Sequence, residues 1–324
     1  MPLAIRCASW NLRYDITPDK VTVQESLAAL KSPLHQPTSL YKDVDRERPW
    51  SERRIRVWQH LVDEQLDLVC FQETLHRQVS DMHELLGRTE WEWAGVGRDD
   101  GQKRGEYSPV FFRTERFELL SSETFWLSRK HDVPGSIYPG SGCVRMCTCV
   151  RLRVKGDPEG RILSVLSTHL DHSSEEQRQF GASMLLARAR YEEDTQGAAV
   201  LLFGDFNSPP DGADSGAYRV MTGATPPLEL EPKFAQKFAV PSSAPPFKLI
   251  DLRAVTKPAH VVGHFATYTD WTLPSSSGPH ARIDFILGGS GKPWKSLRYK
   301  VGENLLDDGC YMSDHRPVIA SVEI

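Results

Sequence analysis

Short apolar runs that end in polar residues recur along the chain and predict buried β-strands with functional groups at their ends. The clearest run covers residues 200–203, stops at Gly204, and is followed by Asp205, Phe206 and Asn207 before a Ser-Pro-Pro segment breaks the pattern. Residues two apart in an extended backbone face the same side, so Asp205 and Asn207 are predicted to converge while Phe206 packs behind them. An Asx-type turn after the strand is the alternative interpretation.

The same pattern occurs at five other places, where a predicted strand carries a carboxylate, an amide or an imidazole at or near one end. These strands cover residues 5–12, 66–74, 162–172, 281–287 and 311–322, with the polar residues Asn11, Glu73, His169, Asp284, Asp314 and His315. Taken singly, each group has a structural explanation, such as a turn or an exposed strand end. Groups spread this widely can meet only through the sheets, so we expect residues 1–324 to form a single domain and one functional unit.

Helical periodicity separates several of these strands, and two stretches lose all periodicity. The predicted helices begin near Ser51, cover residues 79–86, and cover residues 174–192 with Ser173 as the N-cap. The stretches without a pattern are residues 15–49, which contain a possible short helix at 22–31, and the proline-rich residues 223–247. We predict that both stretches are insertion loops, and that residues 223–247 form an ordered but irregular surface loop.

Positive charge is concentrated ahead of and within the first long helix. The residues are Arg46, Arg48, Arg53, Arg54 and Arg56. Such a run is usually the solvated face of a helix, and the alternative is an edge that follows a phosphate backbone. Arg145 stands inside another predicted strand, residues 143–154, where an unpaired charge is costly. It is therefore predicted to meet an anion or an acid.

Composition narrows the function classes. The 324 residues have 40% hydrophobic and 25% charged side chains and a formal net charge of -4, which argues against a globally basic nucleic-acid coat but leaves a local basic cleft open. No apolar run approaches the ~20 residues of a membrane span, and the N-terminus lacks a signal-peptide pattern, so we expect a cytoplasmic protein, with the nucleus as the alternative. Six cysteines are too few for a disulfide scaffold. Cys143, Cys147 and Cys149 form the one cluster, and their spacing fits no zinc pattern.

Taken in order, the strand-end motifs resemble those of the endonuclease/exonuclease/phosphatase superfamily. The motifs are Trp10-Asn11, Gln72-Glu73, Thr168-His169-Leu170, Gly204-Asp205-Phe206-Asn207, Arg282-Ile283-Asp284-Phe285 and Ser313-Asp314-His315-Arg316-Pro317. The superfamily includes DNase I, abasic-site endonucleases, nocturnin-like deadenylases, neutral sphingomyelinases and inositol polyphosphate phosphatases. The resemblance implies an α/β fold, a four-layer α/β sandwich in which two mixed β-sheets pack face to face with helices outside. It also places the site where strand ends of both sheets meet.

The resemblance implies roles for the residues that match it. Glu73 would be the main ligand of a divalent cation, helped by Asn11 and Asp314. Oxygen ligands without a Cys/His set favour Mg²⁺, with Mn²⁺ as the alternative, over zinc. Asp205, oriented by Asn207, would position and deprotonate the attacking water. His315, hydrogen-bonded to Asp284, would donate to a non-bridging phosphoryl oxygen as negative charge builds up.

A second histidine and its surroundings resemble DNase I and several phosphatase branches. His169 would protonate the leaving group or share the phosphate with His315. Glu106 corresponds to the acid that pairs with this histidine. Tyr107 and Arg145 are implied phosphate contacts. The abasic-site and deadenylase branches do not all keep the second histidine, so His169 loosens those two analogies.

Three functions compete on these grounds. The first is a metal-dependent phosphodiester hydrolase, a nuclease such as a 3'-5' exonuclease, with RNA or DNA as the expected substrate and no protein partner. The second is a phosphatase or phosphodiesterase of small or lipid-linked phosphates, and the third is a non-catalytic binding protein. A nuclease should show a basic groove with stacking aromatic rings, and Trp50, Tyr138 and Trp271 are the candidates. An enzyme for small substrates should instead show a closed pocket.

Overall fold

Two open, mixed β-sheets form the centre of the computed structural model, which describes residues 4–30, 47–273 and 278–324. The strands are β1 (Ala4–Asn11), β2 (Leu68–Gln72), β3 (Trp91–Ala94), β4 (Val110–Arg113), β5 (Phe117–Trp126), β6 (Met146–Val154), β7 (Ile162–His169), β8 (Ala199–Asp205), β9 (Leu249–Asp251), β10 (Val261–Gly263), β11 (Asp284–Gly289), β12 (Lys295–Val301) and β13 (Val318–Glu323). One sheet has seven strands in the order β10-β12-β13-β1-β2-β4-β3. The other has six, in the order β5-β6-β7-β8-β11-β9.

Helices cover the outer faces of both sheets. They are α1 (Val23–Ala28), α2 (Trp50–Asp63), α3 (His76–Leu86), α4 (Glu175–Asp194), α5 (Gly216–Met221), α6 (Pro232–Lys237) and α7 (Leu252–Val255), with a 3-10 helix at Pro258–His260. Residues of α1, α2 and α3 pack in one core cluster with the seven-stranded sheet, and residues of α4, α5 and α6 pack in another with the six-stranded sheet. The four-layer sandwich predicted from the resemblance is therefore confirmed.

Both faces of the central strands are buried, which explains why their sequences are continuous apolar runs. In β1, Ile5 and Cys7 pack in the core between the two sheets, whereas Trp10 packs in the core beneath the helices. In β8, Leu201 faces the core between the sheets and Leu202 faces the helical side. Successive side chains along each strand thus pack in two different apolar cores, one on each face of the sheet. The polar residues lie at the strand ends.

Local signals in the sequence explain where two helices begin, with one correction. α1 starts with a capping box in which the side chains of Thr22 and Glu25 each bond the other's backbone N–H. α4 begins one residue later than predicted, because Ser174 rather than Ser173 is its N-cap and accepts from the backbone N–H of Gln177 at 3.2 Å.

The two predicted insertion loops differ in how they join the body of the protein. The stretch at 15–49 contains α1, and its residues 31–46 lie outside the described part of the chain. Within residues 223–247, helix α6 places Phe234 and Phe238 in the core beneath α4, where both rings are at most 5% exposed. This stretch is therefore more than an irregular surface loop, since its centre completes a hydrophobic core.

The predicted arginine run is a structural feature rather than a surface that follows a phosphate backbone. Arg53 and Arg54 are fully buried. The Arg53 guanidinium donates to the carbonyl oxygens of Leu12 and Met312, both at 2.8 Å, and the Arg54 guanidinium donates to Asp81, also at 2.8 Å. Both the solvated-face and the phosphate-edge interpretations are wrong for these two residues, because Arg53 joins α2 to neighbouring loops and Arg54 joins α2 to helices α1 and α3.

The flanking members of the run are also engaged, apart from Arg46, which lies outside the described residues. Arg48 pairs with Glu52, and Arg56 pairs with Asp308. Two of the candidate stacking rings, Trp50 and Tyr138, are buried as well. As for membranes, none of the described helices combines the length and the apolar composition that a crossing requires.

Candidate active site

Strand pairing brings the predicted functional residues to one end of the sandwich. In the six-stranded sheet, Asp205 is the register partner of both His169 on β7 and Asp284 on β11. In the seven-stranded sheet, Asn11 is paired with Gln72, so Glu73 follows directly beside it. The Asn11 amide and the Asp205 carboxylate, 194 positions apart in the sequence, lie 3.0 Å from each other because the two sheets end together.

These strand ends surround an open cleft of about 540 Å³. Its lining residues are Arg13, Tyr14, Glu73, Arg98, Glu106, Cys143, Arg145, His169, His172, Asp205, Asn207, Tyr268, Ile283, Asp314 and His315. Most residues singled out from the sequence are in this set. The others lie just behind it or beside it: Asn11 and Asp284 contact lining residues directly, and Tyr107 borders a small adjoining cavity.

Asp205 lies at the centre of the cleft and is almost completely buried. Its Oδ2 accepts a hydrogen bond from the amide of Asn11 at 3.0 Å. The same oxygen is 3.5 Å from His169 Nε2 and 3.6 Å from His315 Nε2. Burial and the nearby Asp284 carboxylate raise the pKa of Asp205 to about 7, against the opposing charge of His315. Asp205 is therefore a carboxylate that can exchange a proton near neutral pH.

His315 is held from three sides. Its Nδ1 is 2.9 Å from Oδ2 of Asp284, its backbone carbonyl accepts from the indole N–H of Trp10 at 2.9 Å, and the Tyr268 ring lies 4.9 Å away between centroids. Burial lowers the pKa of His315, but the charges of Asp284 and Asp205 outweigh it and hold the pKa well above its usual value. The ring is therefore a pre-oriented hydrogen-bond donor whose surroundings favour its protonated form.

Asn207 reaches the cleft by a turn rather than by the predicted extended strand. β8 ends at Asp205, and Asn207 adopts a left-handed backbone with φ of 46°. Its N–H donates to Oδ1 of Asp205 at 3.0 Å, which is the Asx-type turn given as the alternative. The Asn207 amide then lies 3.0 Å from His169 Nε2 and donates to the carbonyl of Leu170 at 3.0 Å. Convergence of the two side chains is confirmed, although its geometric cause is different.

The carboxylates of Glu73 and Asp314 form the oxygen-rich side of the cleft. Glu73 Oε1 accepts from the Asn11 amide at 2.9 Å, and Glu73 has a left-handed backbone with φ of 59°. Burial raises the pKa of Glu73, but the Asn11 hydrogen bond and nearby cations such as Arg13 bring it below the usual value. Burial and the charge of Glu73 raise the pKa of Asp314. The partly exposed Glu73 and the buried Asp314 repel each other, and such a pair of carboxylates is a donor set that a hard divalent cation stabilises.

Asn11 orients this side of the cleft. Its amide nitrogen donates to both Glu73 and Asp205, while its Oδ1 accepts from the backbone N–H of Arg13 at 2.9 Å. Asn11 therefore presents donors, not an oxygen ligand, to the carboxylates. Direct ligation of a cation through Oδ1 requires the amide to turn over.

His169 is not paired with Glu106, the acid that the resemblance suggested. Its Nε2 contacts the Asn207 amide instead. Glu106 pairs with Arg98 at 2.6 Å. Within the described residues, His169 Nδ1 has no hydrogen-bond partner and lies 4.0 Å from Oε1 of Glu73. Burial and the charges of Arg145 and Arg98 hold the pKa of His169 well below its usual value. His169 is therefore neutral, in contrast to His315.

The two predicted phosphate contacts lie in different surroundings. Arg145 is buried in the wall of the cleft, with Nη2 3.3 Å from His172 Nδ1 and Nε 3.9 Å from Asp171 Oδ2. It meets an acid as predicted, but only at long range. The Tyr107 hydroxyl donates to the carbonyl of Gln102 at 2.8 Å. A phosphate contact from Tyr107 stays a prediction, with its hydroxyl already engaged.

Several lining residues gave no signal in the sequence. Arg13 and Tyr14 follow the end of β1, and their proximity to Asn11 was the available clue. Arg98 belongs to a polar turn, and Tyr268 lies far from any strand-end motif. His172 and Cys143 were noted in the sequence but not as neighbours. Such residues are found by the path of loops, which apolar periodicity does not predict.

Comparison with known proteins finds a family model and solved structures that are similar to this chain. The sequence matches the model of the Endonuclease/Exonuclease/phosphatase family over residues 8–315. An endonuclease/exonuclease/phosphatase from Bacteroides vulgatus is 28% identical, with a TM-score of 0.73 and coverage of 99% of each chain. A comparison with curated proteins finds no match.

Two further solved structures share the fold. The mannosyl-6-phosphatase of Bacteroides thetaiotaomicron is 22% identical, with a TM-score of 0.71 over 98% of this chain and 99% of that chain. The catalytic domain of human Nocturnin is 17% identical, with a TM-score of 0.59 over 98% of this chain and 93% of that chain. At these identities the likeness extends to the fold alone.

Proposed function

Because the chain belongs to the endonuclease/exonuclease/phosphatase family of phosphoesterase hydrolases, we propose that it hydrolyses small phosphate esters with the help of a divalent cation. The cleft is open, not the closed pocket expected of an enzyme for small substrates, so the small-substrate proposal rests on the disposition of the arginines. Arg13, Arg98 and Arg145 line the cleft, whereas Arg53 and Arg54, from the run predicted as a phosphate-following edge, are buried within the protein. Among these five arginines, positive charge is therefore available to a phosphate in the cleft and not to an extended chain along α2.

Glu73 and Asp314 are the proposed cation ligands, with Asn11 as orienter or third ligand. The carboxylate oxygens of Glu73 and Asp314 suit Mg²⁺ or Mn²⁺, and Asn11 would add an amide oxygen only if its amide turned over. When bound, the cation supplies Lewis-acid neutralisation of charge on the phosphoryl oxygens. The Asn11 amide nitrogen donates to Glu73 at 2.9 Å and to Asp205 at 3.0 Å. Asn11 therefore fixes the position of the proposed cation ligand relative to the proposed base.

Asp205 is the proposed general base. Its pKa, raised to about 7, matches the requirement that a base accept a proton near the working pH. The backbone N–H of Asn207 fixes Oδ1 of this carboxylate, so Oδ2 faces the cleft and its two histidines. A water bound against Oδ2 would be aimed at a phosphorus atom held between His169 and His315.

The two histidines are proposed to have different tasks, because their charge states differ. His315 is protonated and paired with Asp284, so it can donate to a phosphoryl oxygen as negative charge develops. In His169, the Asn207 amide donates to Nε2, which places the ring proton on Nδ1. Within the described residues this buried Nδ1–H has no hydrogen-bond partner, so it is free to donate to a phosphate oxygen shared with His315 or to the leaving group.

A direct test compares substrates of different size. Purified protein with Mg²⁺ would be given mannose 6-phosphate, bis-p-nitrophenyl phosphate and a 5'-labelled single-stranded RNA, with Asp205→Asn as the matched control. The likeness to a mannosyl-6-phosphatase is the reason for the first compound. We expect release of phosphate from the small ester and an intact oligonucleotide. A ladder that shortens from the 3' end, absent in the control variant, would instead establish the nuclease predicted from the sequence.

The cation ligands are tested separately from the substrate. Mg²⁺ should raise the melting temperature of the native protein, because a ligand that binds the folded state stabilises it. Glu73→Gln should show almost no rise. An equal rise in both proteins would remove Glu73 from the proposed cation site, whatever the substrate is.

A further inference from the structure

A thiol, a carboxylate and an imidazole meet beside the cleft, in a cluster that shares no residue with the proposed Mg²⁺ ligands. They belong to Cys143, Asp171 and His172, and one potential ligand atom from each lies within 4.8 Å of the other two. We propose that these three residues form a second cation site, selective for a borderline-soft ion such as Zn²⁺. Cysteine, histidine and aspartate are all zinc ligands, whereas the thiolate disfavours Mg²⁺.

Strand pairing explains why residues so far apart in the sequence meet. β6 and β7 are antiparallel, and Cys147 is the register partner of Thr168. The start of β6 and the end of β7 therefore lie side by side, and the segments that precede β6 and follow β7, residues 143–145 and 170–172, lie at the same end of this strand pair. Gly142 leaves room for the imidazole, because a Cβ at that position would lie 3.1 Å from Cε1 of His172. The site is therefore a consequence of the hairpin geometry and of a residue without a side chain.

The carboxylate of Asp171 is fixed in place. It is fully buried, and its Oδ1 accepts from the backbone N–H groups of Ser173 and Ser174 at 2.9 and 2.8 Å. Oδ2 then faces the thiol, with the Cys143 sulfur at 3.9 Å. A tetrahedral zinc ion separates a sulfur and an oxygen ligand by about 3.5 Å. A small rotation of the half-buried Cys143 side chain would close this difference.

A positive group already occupies this neighbourhood. Arg145 places Nη2 3.3 Å from His172 Nδ1 and Nε 3.9 Å from Asp171 Oδ2. Arg145 is buried, and among the described residues its Nε has no hydrogen-bond partner. The guanidinium is therefore a loosely held cation facing two of the three ligands, and a metal ion would compete with it for those atoms.

The charge balance of binding is complete without any other reactant. The Cys143 thiol loses its proton to solvent, and the resulting thiolate and the Asp171 carboxylate balance the two positive charges of the ion. Neutral His172 is the third ligand, and a water fills the fourth position. Zn²⁺ would take His172 and Asp171 away from Arg145. Because Arg145 lines the catalytic cleft, the loss of these two contacts should disturb its position, and Zn²⁺ binding should therefore lower turnover. This last consequence rests on the proposed function, whereas binding itself does not.

Cobalt absorption tests the site without any substrate. Co²⁺ added to the native protein should give a thiolate-to-cobalt charge-transfer band, and Zn²⁺ should abolish it by displacement. Glu73→Gln should keep the band, Cys143→Ser should lose it, and His172→Gln should weaken Co²⁺ binding at least about tenfold. No band in the native protein, or an equal band in Cys143→Ser, would overturn the proposal.

Inhibition tests the link to Arg145. At a fixed excess of Mg²⁺, the Zn²⁺ concentration that halves turnover should be at least about tenfold higher for Cys143→Ser than for the native protein. Equal values would show that Zn²⁺ acts at the catalytic carboxylates and would overturn the link. If no phosphate ester were hydrolysed at all, the cobalt band would still decide the site, so the two proposals fail separately.

Discussion

Two buried clusters of charge, one in the cleft and one under helix α4, differ in how completely their groups are satisfied. Under α4, the Glu192 carboxylate is fully buried and accepts from Arg151 at 2.6 and 2.9 Å, from Ser164 at 2.7 Å and from Arg188 at 2.8 Å. Burial raises the pKa of Glu192, but these donors outweigh it and bring the pKa below its usual value.

The cleft has the opposite character. The pKa of Asp205 is raised to about 7, and within the described residues His169 Nδ1 and Asp284 Oδ1 have no hydrogen-bond partner. Burial of charge is common to both clusters and therefore does not identify function. The difference between them is that His169 Nδ1 and Asp284 Oδ1 lie at a cleft where a ligand can satisfy them, whereas the Glu192 carboxylate is already satisfied by protein donors.

The largest expected effect is on turnover in the cleft. Asp205→Asn keeps the shape of the side chain but removes the base, so turnover should fall by about 10²- to 10⁴-fold. The melting temperature at pH 8 should not fall, because a carboxylate with a raised pKa costs the folded state free energy when it is ionised. Phosphate release and thermal unfolding of the same preparations measure both. A variant that retained full turnover would remove Asp205 from the mechanism.

Under α4 we predict the opposite combination, a loss of stability without a loss of turnover. Glu192→Gln leaves Arg151 and Arg188 without their shared carboxylate, and loss of one member of a buried ion pair costs about 3 kcal/mol. We expect the free energy of unfolding in urea to fall by that amount, while turnover per folded molecule stays unchanged. A large loss of turnover without a loss of stability would contradict the contrast between the clusters.

The difference in unfolding free energy between the native protein and Glu192→Gln should shrink as the pH falls. The pKa of Glu192 is lowered on folding, so its contribution is fully present above the unfolded value of roughly 4.3. It should be lost as the pH falls from there through the folded pKa. The native protein and Glu192→Gln should therefore converge in stability in acid, and a difference that grew in acid would contradict the assignment.

The smallest expected change in unfolding free energy is at an exposed ion pair, which is the reference for the buried cluster under α4. Arg56 and Asp308 pair at the surface with 29% and 40% of their side chains exposed. Solvent screens such pairs, so Arg56→Gln should change the free energy of unfolding by less than about 1 kcal/mol. Urea unfolding at low and high salt measures this, and a loss as large as that of Glu192→Gln would show that burial does not separate the two cases.

The strands and the central site were predictable because both depend on short-range patterns. The apolar runs around Asp205 and His169 had to be buried on both faces, so their polar ends had to lie at the edge of the sheets. Turn geometry at Asn207 was predictable only as an alternative. An Asp-x-Asn sequence is compatible with both a strand and an Asx turn, and the choice depends on Leu170 and His169, which arrive from another strand.

The sequence alone therefore predicted the strands whose ends reach the cleft, the order of the motifs and the residues that could carry chemistry, but not elements such as β12 or α5. Only the tertiary structure decided where long charged and thiol side chains went. Arg53 and Arg54 entered the interior, while Arg145 reached the cleft, although all three are arginines in periodic segments. Cys147 joined the core, whereas Cys143 was set beside residues from another strand end. The physical reason is that periodicity fixes which face of an element is buried, whereas the partners of a buried polar group come from distant segments that the packing of the two sheets brings together.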